Sequence, residues 1–186
     1  MSLSHSVEVN LQFTPNPDTL KYETSVQLLS VGAMNFPSRE SVQGRSGLAE
    51  ALFHEKDIRA LMLGKNFVTI TLASQDRLAE VNDWIRKTIT DYLESGKPIV
   101  EAASPSILRP MNEIEQKIIE ILDRDIRPAV AMDGGDISFE KFEDGYVYLK
   151  MQGSCSGCPS SMMTLKMGVE TRLKEAIPEI QEVIPV

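Results

Sequence analysis

Two cysteines near the end of the chain carry the clearest chemical signal in the sequence. Cys155 and Cys158 are the only cysteines among 186 residues, and they stand in the stretch Gly153–Ser161, which reads GSCSGCPSS. Two thiols separated by two residues can point to the same side of a tight turn, where they bind one metal centre or form a disulfide. We therefore expect the chemistry of this protein to depend on these two sulfur atoms.

The residues around the cysteines favour a turn that leads into a helix. Glycine permits positive φ and leaves room for close approach to the backbone at Gly153 and Gly157, and Pro159 suits the first position of a helix. Cys158 is thus predicted to lie at a helix N-terminus, where unpaired amides and the helix dipole favour the thiolate. Because the neighbouring residues are small and polar, we expect an exposed turn. The alternative, in which the cysteines are ordinary buried hydrophobes, is disfavoured.

Three kinds of site are compatible with this pair of thiols. A thioredoxin-type redox site usually occurs in a βαβ pattern, whereas the strand predicted before Cys155 follows a hairpin. A structural zinc site needs four ligands, and the chain adds only His5 and His54, both in its first half. An iron–sulfur cluster also takes four thiolates, so two chains are needed to complete one site. The ligand number therefore points to a cluster shared across a dimer. A thiol–disulfide oxidoreductase is the runner-up, and a dimeric zinc or interaction module is third.

The composition excludes several other classes of protein. With 42% hydrophobic and 25% charged residues, the chain has the composition of a folded globular protein. No apolar run approaches the length of a membrane span, and residues 1–5 resemble neither a signal peptide nor a transit peptide, so we expect a cytoplasmic protein without a membrane partner. The net charge of −8, with no cluster of Lys and Arg, argues against binding to nucleic acid. Two adjacent cysteines agree with a reducing compartment.

The first half of the chain, residues 1–95, is predicted to be a small mixed domain. The sequence predicts, in order, strands over residues 7–13 and 21–29, a loop over 32–47, a short helix near Leu52, and a hairpin over 58–72. Apolar residues at helical spacing then predict a helix that faces the core, with Trp84 near the same face. The apolar positions of this helix are Leu78, Val81, Ile85, Ile89 and Tyr92.

The second half, residues 111–186, is predicted to be a separate domain behind a proline-rich linker, residues 96–110. Asn112 and Glu115 stand at capping-box spacing before an apolar helix. A hairpin signal at Asp144-Gly145 joins two strands, and the second strand leads into the cysteine turn. A helix after the turn and a short edge strand over residues 182–186 complete an αββαβ order. The predicted fold class is therefore α+β, with two small mixed domains.

Several segments carry a resemblance to a known family. Three of them resemble the C-terminal domain of NifU, namely residues 126–130 (IRPAV), residues 133–136 (DGGD) and the stretch GSCSGCPSS. The first half is similar to the N-terminal domain of Nfu-type proteins, through Thr14-Pro15-Asn16-Pro17, Leu20-Lys21, Leu48-Ala49 and Leu52-Phe53. Gly47 departs from the family, which tends to have proline before Leu-Ala. This departure concerns the start of a helix and leaves the cysteine turn unaffected.

The resemblance implies a non-enzymatic iron–sulfur scaffold or carrier. Its cluster is commonly [4Fe–4S], with [2Fe–2S] as the other option, and Cys155 and Cys158 are the expected protein ligands. The expected partners are a second copy of the chain, an upstream cluster donor and apo iron–sulfur proteins that receive the cluster. The N-terminal domain is expected to recognise partners or add stability.

The segment of residues 133–136 allows two interpretations of its structural role. The two glycines either form an ordinary loop between helix and strand, or let that loop pack beside the cysteine turn and shield the cluster. Asp133 and Asp136 are not expected to be ligands, because sulfur ligands suit an iron–sulfur cluster better than carboxylates.

Overall fold

The computed structural model describes residues 7–100, 111–156 and 159–186. The chain forms two compact units, Met1–Ser106 and Ile107–Val186. Both units combine helices with a β-sheet, which confirms the α+β fold class. Within the described residues, no helix has the length and apolar character needed to cross a membrane.

The N-terminal unit contains a five-stranded antiparallel sheet with the order β1-β2-β5-β4-β3. Its elements are β1 (Val9–Phe13), β2 (Thr19–Thr24), β3 (Met34–Phe36), α1 (Gly47–Leu52), β4 (Ile58–Leu63), β5 (Phe67–Leu72) and α2 (Leu78–Glu94). Short 3₁₀ turns occur at Arg39–Val42 and Gln75–Arg77. One continuous apolar cluster packs the sheet against α1 and α2.

Two sequence predictions for this unit are wrong in detail. Strand β3 lies inside the segment predicted to be a loop, because Phe36 pairs with Leu61 of β4 and its side chain is fully buried. This pairing is long-range, so local turn residues could not reveal it. Trp84 is exposed on α2, whereas Val81 and Ile85 are buried, so the core-facing stripe is narrower than predicted.

The described start of the predicted linker lies on the N-terminal unit. Tyr92 donates a hydrogen bond from its hydroxyl to the carbonyl of Pro98 over 2.8 Å, and the Ser46 hydroxyl donates to the carbonyl of Ile99. Ile99 and Val100 also pack against the core of this unit. Residues 101–110 lie outside the described residues.

The C-terminal unit has the predicted αββαβ order, with its first helix divided. Its elements are α3 (Glu113–Ile121), a π-helical turn (Leu122–Ile126), α4 (Arg127–Met132), β6 (Gly135–Glu143), β7 (Tyr146–Gly153), α5 (Pro159–Ala176) and β8 (Glu182–Pro185). The predicted capping box is confirmed: Glu115 N–H donates to Asn112 Oδ1 over 2.8 Å, and Asn112 N–H donates to Glu115 Oε2 over 3.1 Å. Pro128 lacks the N–H that would bond the carbonyl of Arg124, which explains why the helix changes its hydrogen-bond pattern here.

The sheet of this unit has the order β6-β7-β8. Strands β6 and β7 form an antiparallel hairpin, whereas β7 and β8 are parallel and are joined by α5. Strand β7 therefore belongs to a hairpin and to a βαβ unit at the same time. The contrast drawn from the sequence between a hairpin and a βαβ pattern does not separate a metal site from a redox site.

Candidate metal centre at the cysteine turn

The cysteine turn begins where β7 ends. Gly153 adopts a φ of 64°, a conformation that favours glycine, and it redirects the chain out of the sheet. Ser156 closes the turn, since its N–H and its hydroxyl both donate to the carbonyl of Gly153, over 3.1 and 2.8 Å. Cys158 lies outside the described residues, and α5 begins at the next residue, Pro159.

Cys155 is buried, with 6% of its surface exposed. It packs with Val130 of α4 and Met151 of β7 in a small apolar cluster, and Ile126 and Leu165 lie against the same cluster. The expectation of an exposed turn is therefore wrong for this cysteine. The residues of the turn itself are small and polar, as the sequence showed, but some of the apolar contacts come from Val130 and Ile126, which are distant in the sequence.

The loop between α4 and β6 packs directly against Cys155. Gly134 has a φ of 77° and ends α4 in the manner of a left-handed helix cap, with its N–H donating to the carbonyl of Ala131 over 3.1 Å. A Cβ added to Gly135 would lie far inside contact distance of Cys155 Sγ, and 3.1 Å from Val130 Cγ1. Of the two readings of this loop, the structure thus favours close packing beside the cysteine turn. It also places Gly135 where a side chain would displace the sulfur atom.

Ser154 holds the glycine loop and the cysteine turn together. Its hydroxyl donates to the carbonyl of Asp133, and its N–H donates to the carbonyl of Gly134 over 3.2 Å. Its Oγ also lies 4.0 Å from Cys155 Sγ. Sequence reasoning included Ser154 in the motif but gave it no role. Its position next to a cysteine did not indicate that it bonds a loop about twenty residues earlier.

Asp136 is the second residue of β6, directly after this loop, and it pairs with Arg127. The Nε atom of Arg127 is 3.4 Å from Asp136 Oδ1 and also donates to the carbonyl of Ile137 over 2.9 Å, while Nη1 pairs with Asp123 over 2.7 Å. Burial raises the pKa of Asp136, and the nearby Arg127 opposes that rise. This carboxylate therefore helps to join α4 to β6.

The described residues contain no group of three or more His, Cys, Asp and Glu side chains placed to hold a metal ion. Of the sequence-predicted ligands, the structure describes Cys155 alone, at the junction of β7 and the turn that leads to α5. His5, considered as a zinc ligand, also lies outside the described residues, and His54 belongs to the N-terminal unit.

Comparison with known proteins matches both halves of the chain. A family model described as "Scaffold protein Nfu/NifU N terminal" matches residues 9–96, and a model described as "NifU-like domain" matches residues 118–184. An NFU1 iron–sulfur cluster scaffold homolog, mitochondrial, from Drosophila ananassae is 40% identical over 188 residues, which cover 98% of this chain and 65% of the relative. The protein of the same name from Homo sapiens is 38% identical over 184 residues, which cover 94% of this chain and 70% of the relative.

Among solved structures, the solution structure of a NifU-like protein from Saccharomyces cerevisiae matches with a TM-score of 0.48 and 20% identity. The match covers 55% of this chain and 92% of the yeast chain.

The relatives correct one expectation and establish the family. Both are named as mitochondrial, so the expected cytoplasmic location is contradicted. This chain spans just under two thirds of the length of the fly relative. The identity of 38% over 70% of the human relative, together with the two matching models, shows that this chain belongs to the family of NFU1 iron–sulfur cluster scaffold homologues.

Proposed function

We propose that this protein is a non-enzymatic carrier that binds an iron–sulfur cluster through Cys155 and Cys158 and delivers it to apo-proteins. The cluster is [4Fe–4S], with [2Fe–2S] as the smaller alternative, and two chains supply its four thiolates. An upstream donor provides the cluster as cargo. The fly and human relatives are named as mitochondrial, which supports a mitochondrial setting for this activity.

The observation that carries the proposal is the position of Cys155 at the end of β7, against Gly135. A glycine at this point leaves the sulfur atom room that any side chain would take. Thiolate sulfur is the preferred ligand of iron–sulfur clusters, and two sulfurs per chain complete four ligands only in a pair of chains. The residues that the structure describes therefore fit this cargo by donor type and by the space beside the donor.

The neighbouring residues have a positioning role in this proposal. Ser154 fixes the loop of residues 133–136 to the turn through two hydrogen bonds, and Arg127 fixes α4 to β6 behind the loop. The loop then shields one side of the cluster from water. Asp133 presents a backbone carbonyl to Ser154 and is not proposed as a ligand.

We also propose a division of labour between the two halves. Residues 111–186 bind the cluster, residues 1–95 recognise partners or add stability, and residues 96–110 connect them. A fragment of residues 111–186 is expected to fold and to bind iron and sulfide. A fragment that folds by circular dichroism but binds no cluster, while the full chain does, would assign part of the site to the first half.

Anaerobic reconstitution with ferrous iron and sulfide tests the main proposal. The full chain is expected to take up iron and acid-labile sulfide in equal amounts, with four of each per pair of chains for [4Fe–4S]. The variants Cys155→Ser and Cys158→Ser should each lose stable binding. Gly168→Ala in α5 is the control, because an added Cβ there meets nothing within 4 Å and the change removes no thiol.

The same experiment distinguishes a cluster carrier from the redox alternative, a thiol–disulfide oxidoreductase. Strand β7, helix α5 and strand β8 form the βαβ setting in which a thioredoxin-type Cys-x-x-Cys is found, so this reading keeps a structural basis. A protein that binds no iron but cycles between dithiol and disulfide with a small-molecule thiol would support the oxidoreductase and reject the carrier.

A further inference from the structure

Three methionines that border the cysteine turn are exposed to solvent. Met132 is 77% exposed, Met163 is 63% exposed and Met167 is 64% exposed. Met132 ends α4 and directly precedes Asp133, whose carbonyl bonds Ser154 of the turn. Met163 follows Pro159 by about one helical turn, roughly 6 Å along the axis of α5, and Met167 follows by a second turn.

The two methionines of α5 lie on the side of the helix that faces away from the core. Val169 and Leu173 are buried in the main cluster of the C-terminal unit, whereas Met163 and Met167, spaced by four residues, share the opposite face. Large apolar side chains grouped on a surface are typical of interaction sites, and methionine adapts well to such contacts.

The segment that contains the turn and the start of α5 carries no charge. From Met151 to Leu165 there is no Asp, Glu, Lys, Arg or His, although 25% of the chain is charged. In a symmetric dimer each residue near the twofold axis faces its equivalent in the other copy, so a charge there would face a like charge. An uncharged segment near such an axis avoids this repulsion.

We propose that Met132, Met163 and Met167 contact a second copy of this chain when the two copies share a cluster. This inference rests on the proposed function, because the half-complete ligand set brings the second copy to the turn. Because α5 begins four residues after Cys155, a second chain that ligates the same cluster would lie next to the first turns of this helix. Of the side chains that the structure describes in this part of the unit, the three exposed methionines are large and apolar.

The small number of exposed methionines predicts whether two copies stay together without the cluster. Stable interfaces use roughly 20–30 residues from each partner, far more than three methionines supply. The methionine contact is therefore too small to hold two copies without the cluster. It adds to the bonds made by the four thiolates, so the metal-free protein is a monomer and the loaded protein is a dimer.

Opposite charges placed on α5 test this contact. One variant carries Met163→Glu and Met167→Glu, and a second carries Met163→Lys and Met167→Lys. After anaerobic reconstitution with ferrous iron and sulfide, each variant alone should dimerise more weakly by about tenfold or more, because like charges face each other. An equimolar mixture should regain dimers that contain one copy of each variant. Sedimentation velocity and iron content per chain are the measurements.

A double variant in the N-terminal unit provides the control. Phe13→Glu with Val31→Glu makes the same change in net charge as the Glu variant, at residues that are 78% and 83% exposed. It should dimerise like the unmodified chain. Circular dichroism of the metal-free variants verifies that all of them fold.

Each other outcome rejects the inference. Glu and Lys variants that dimerise as the control does would remove the methionines from the interface. A mixture that stays monomeric would show that this face does not meet its own copy. Normal dimers combined with slower transfer to an apo iron–sulfur protein would assign the face to the acceptor. If the unmodified chain binds no cluster at all, the proposed function fails and this inference fails with it.

Discussion

The two units of this protein distribute their buried apolar side chains differently. In the N-terminal unit one continuous cluster joins the sheet to α1 and α2. In the C-terminal unit a main cluster joins α3, α5 and the sheet, and a small cluster contains Val130, Met151 and Cys155, with Ile126 and Leu165 packed against both. The candidate site therefore depends on a few contacts outside the main core. A change in this small cluster should therefore affect the sulfur position more than it affects the stability of the whole unit.

The largest effect on stability is expected in the continuous core. Ile70 is fully buried on β5, in the middle of the five-stranded sheet. Ile70→Ala should lower the free energy of unfolding of the N-terminal unit by about 2–5 kcal/mol, because it removes apolar contacts and leaves a cavity. Calorimetry of the full chain should show one transition at a lower temperature. Iron binding below that transition should stay unchanged.

The control for this prediction is Val31→Ala, at an exposed position of the same unit, which should change stability by no more than about 0.5 kcal/mol. If Ile70→Ala shifts the unfolding of both units equally, their cores are coupled and the contrast between them is wrong.

A smaller loss of stability, with a complete loss of binding, is expected at the glycine loop. Gly135→Ala forces a Cβ against Cys155 Sγ and Val130, so we expect a cost of about 1–3 kcal/mol. The displaced sulfur should no longer complete the cluster site. Thermal unfolding and iron content after reconstitution measure the two effects.

Gly168→Ala is the matched control, because a Cβ at Gly168 meets nothing within 4 Å in the middle of α5. Alanine forms helices better than glycine by about 1 kcal/mol, so this variant should be slightly more stable and should bind iron normally. A Gly135→Ala variant with normal iron content would mean that the close approach of Gly135 to Cys155 is not needed for binding.

The sequence revealed features that depend on neighbouring residues and missed those that depend on distant ones. The capping box of Asn112 and Glu115 and the turn at Asp144-Gly145 follow from local preferences, and both occur in the structure. Strand β3 was missed because its identity depends on pairing with β4.

The burial of Cys155 was missed for the same reason. Its partner Val130 lies on α4, and nothing in the turn itself indicates that α4 covers it. The motif thus identified the candidate ligands, but it could not predict the surroundings of the sulfur.

That burial changes the prediction for the cysteine. An exposed cysteine would cost almost nothing to replace, whereas Cys155→Ala removes a buried sulfur and should lower stability by about 1 kcal/mol. Thermal unfolding of the metal-free protein measures this loss, with Met163→Ala as an exposed control in the same unit. A melting temperature equal to that of the unmodified protein would show that the small cluster adds nothing to the stability of the unit.

The smallest effect is expected from an ion pair at the surface of the C-terminal unit. Asp125, in the π-helical turn, accepts hydrogen bonds from Arg124 Nε over 2.7 Å and from Arg172 Nε of α5 over 3.0 Å. The hydrogen bond from Arg124 and then that from Arg172 lower the pKa of Asp125 to about 2, although partial burial acts in the opposite direction.

A pKa below the value of 3.8 expected for an unperturbed aspartate means that the folded protein binds this proton less readily than the unfolded chain. The ionised Asp125 thus stabilises the fold above about pH 4, and this contribution is lost as the pH falls towards about 2. Asp125→Asn should therefore be slightly less stable near neutral pH, and its stability should converge with that of the unmodified protein at about pH 2. Urea unfolding at both pH values measures the difference. If the deficit of Asp125→Asn is the same at both, its cause is lost hydrogen bonding or packing between the π-helical turn and α5, and the charge of Asp125 contributes nothing.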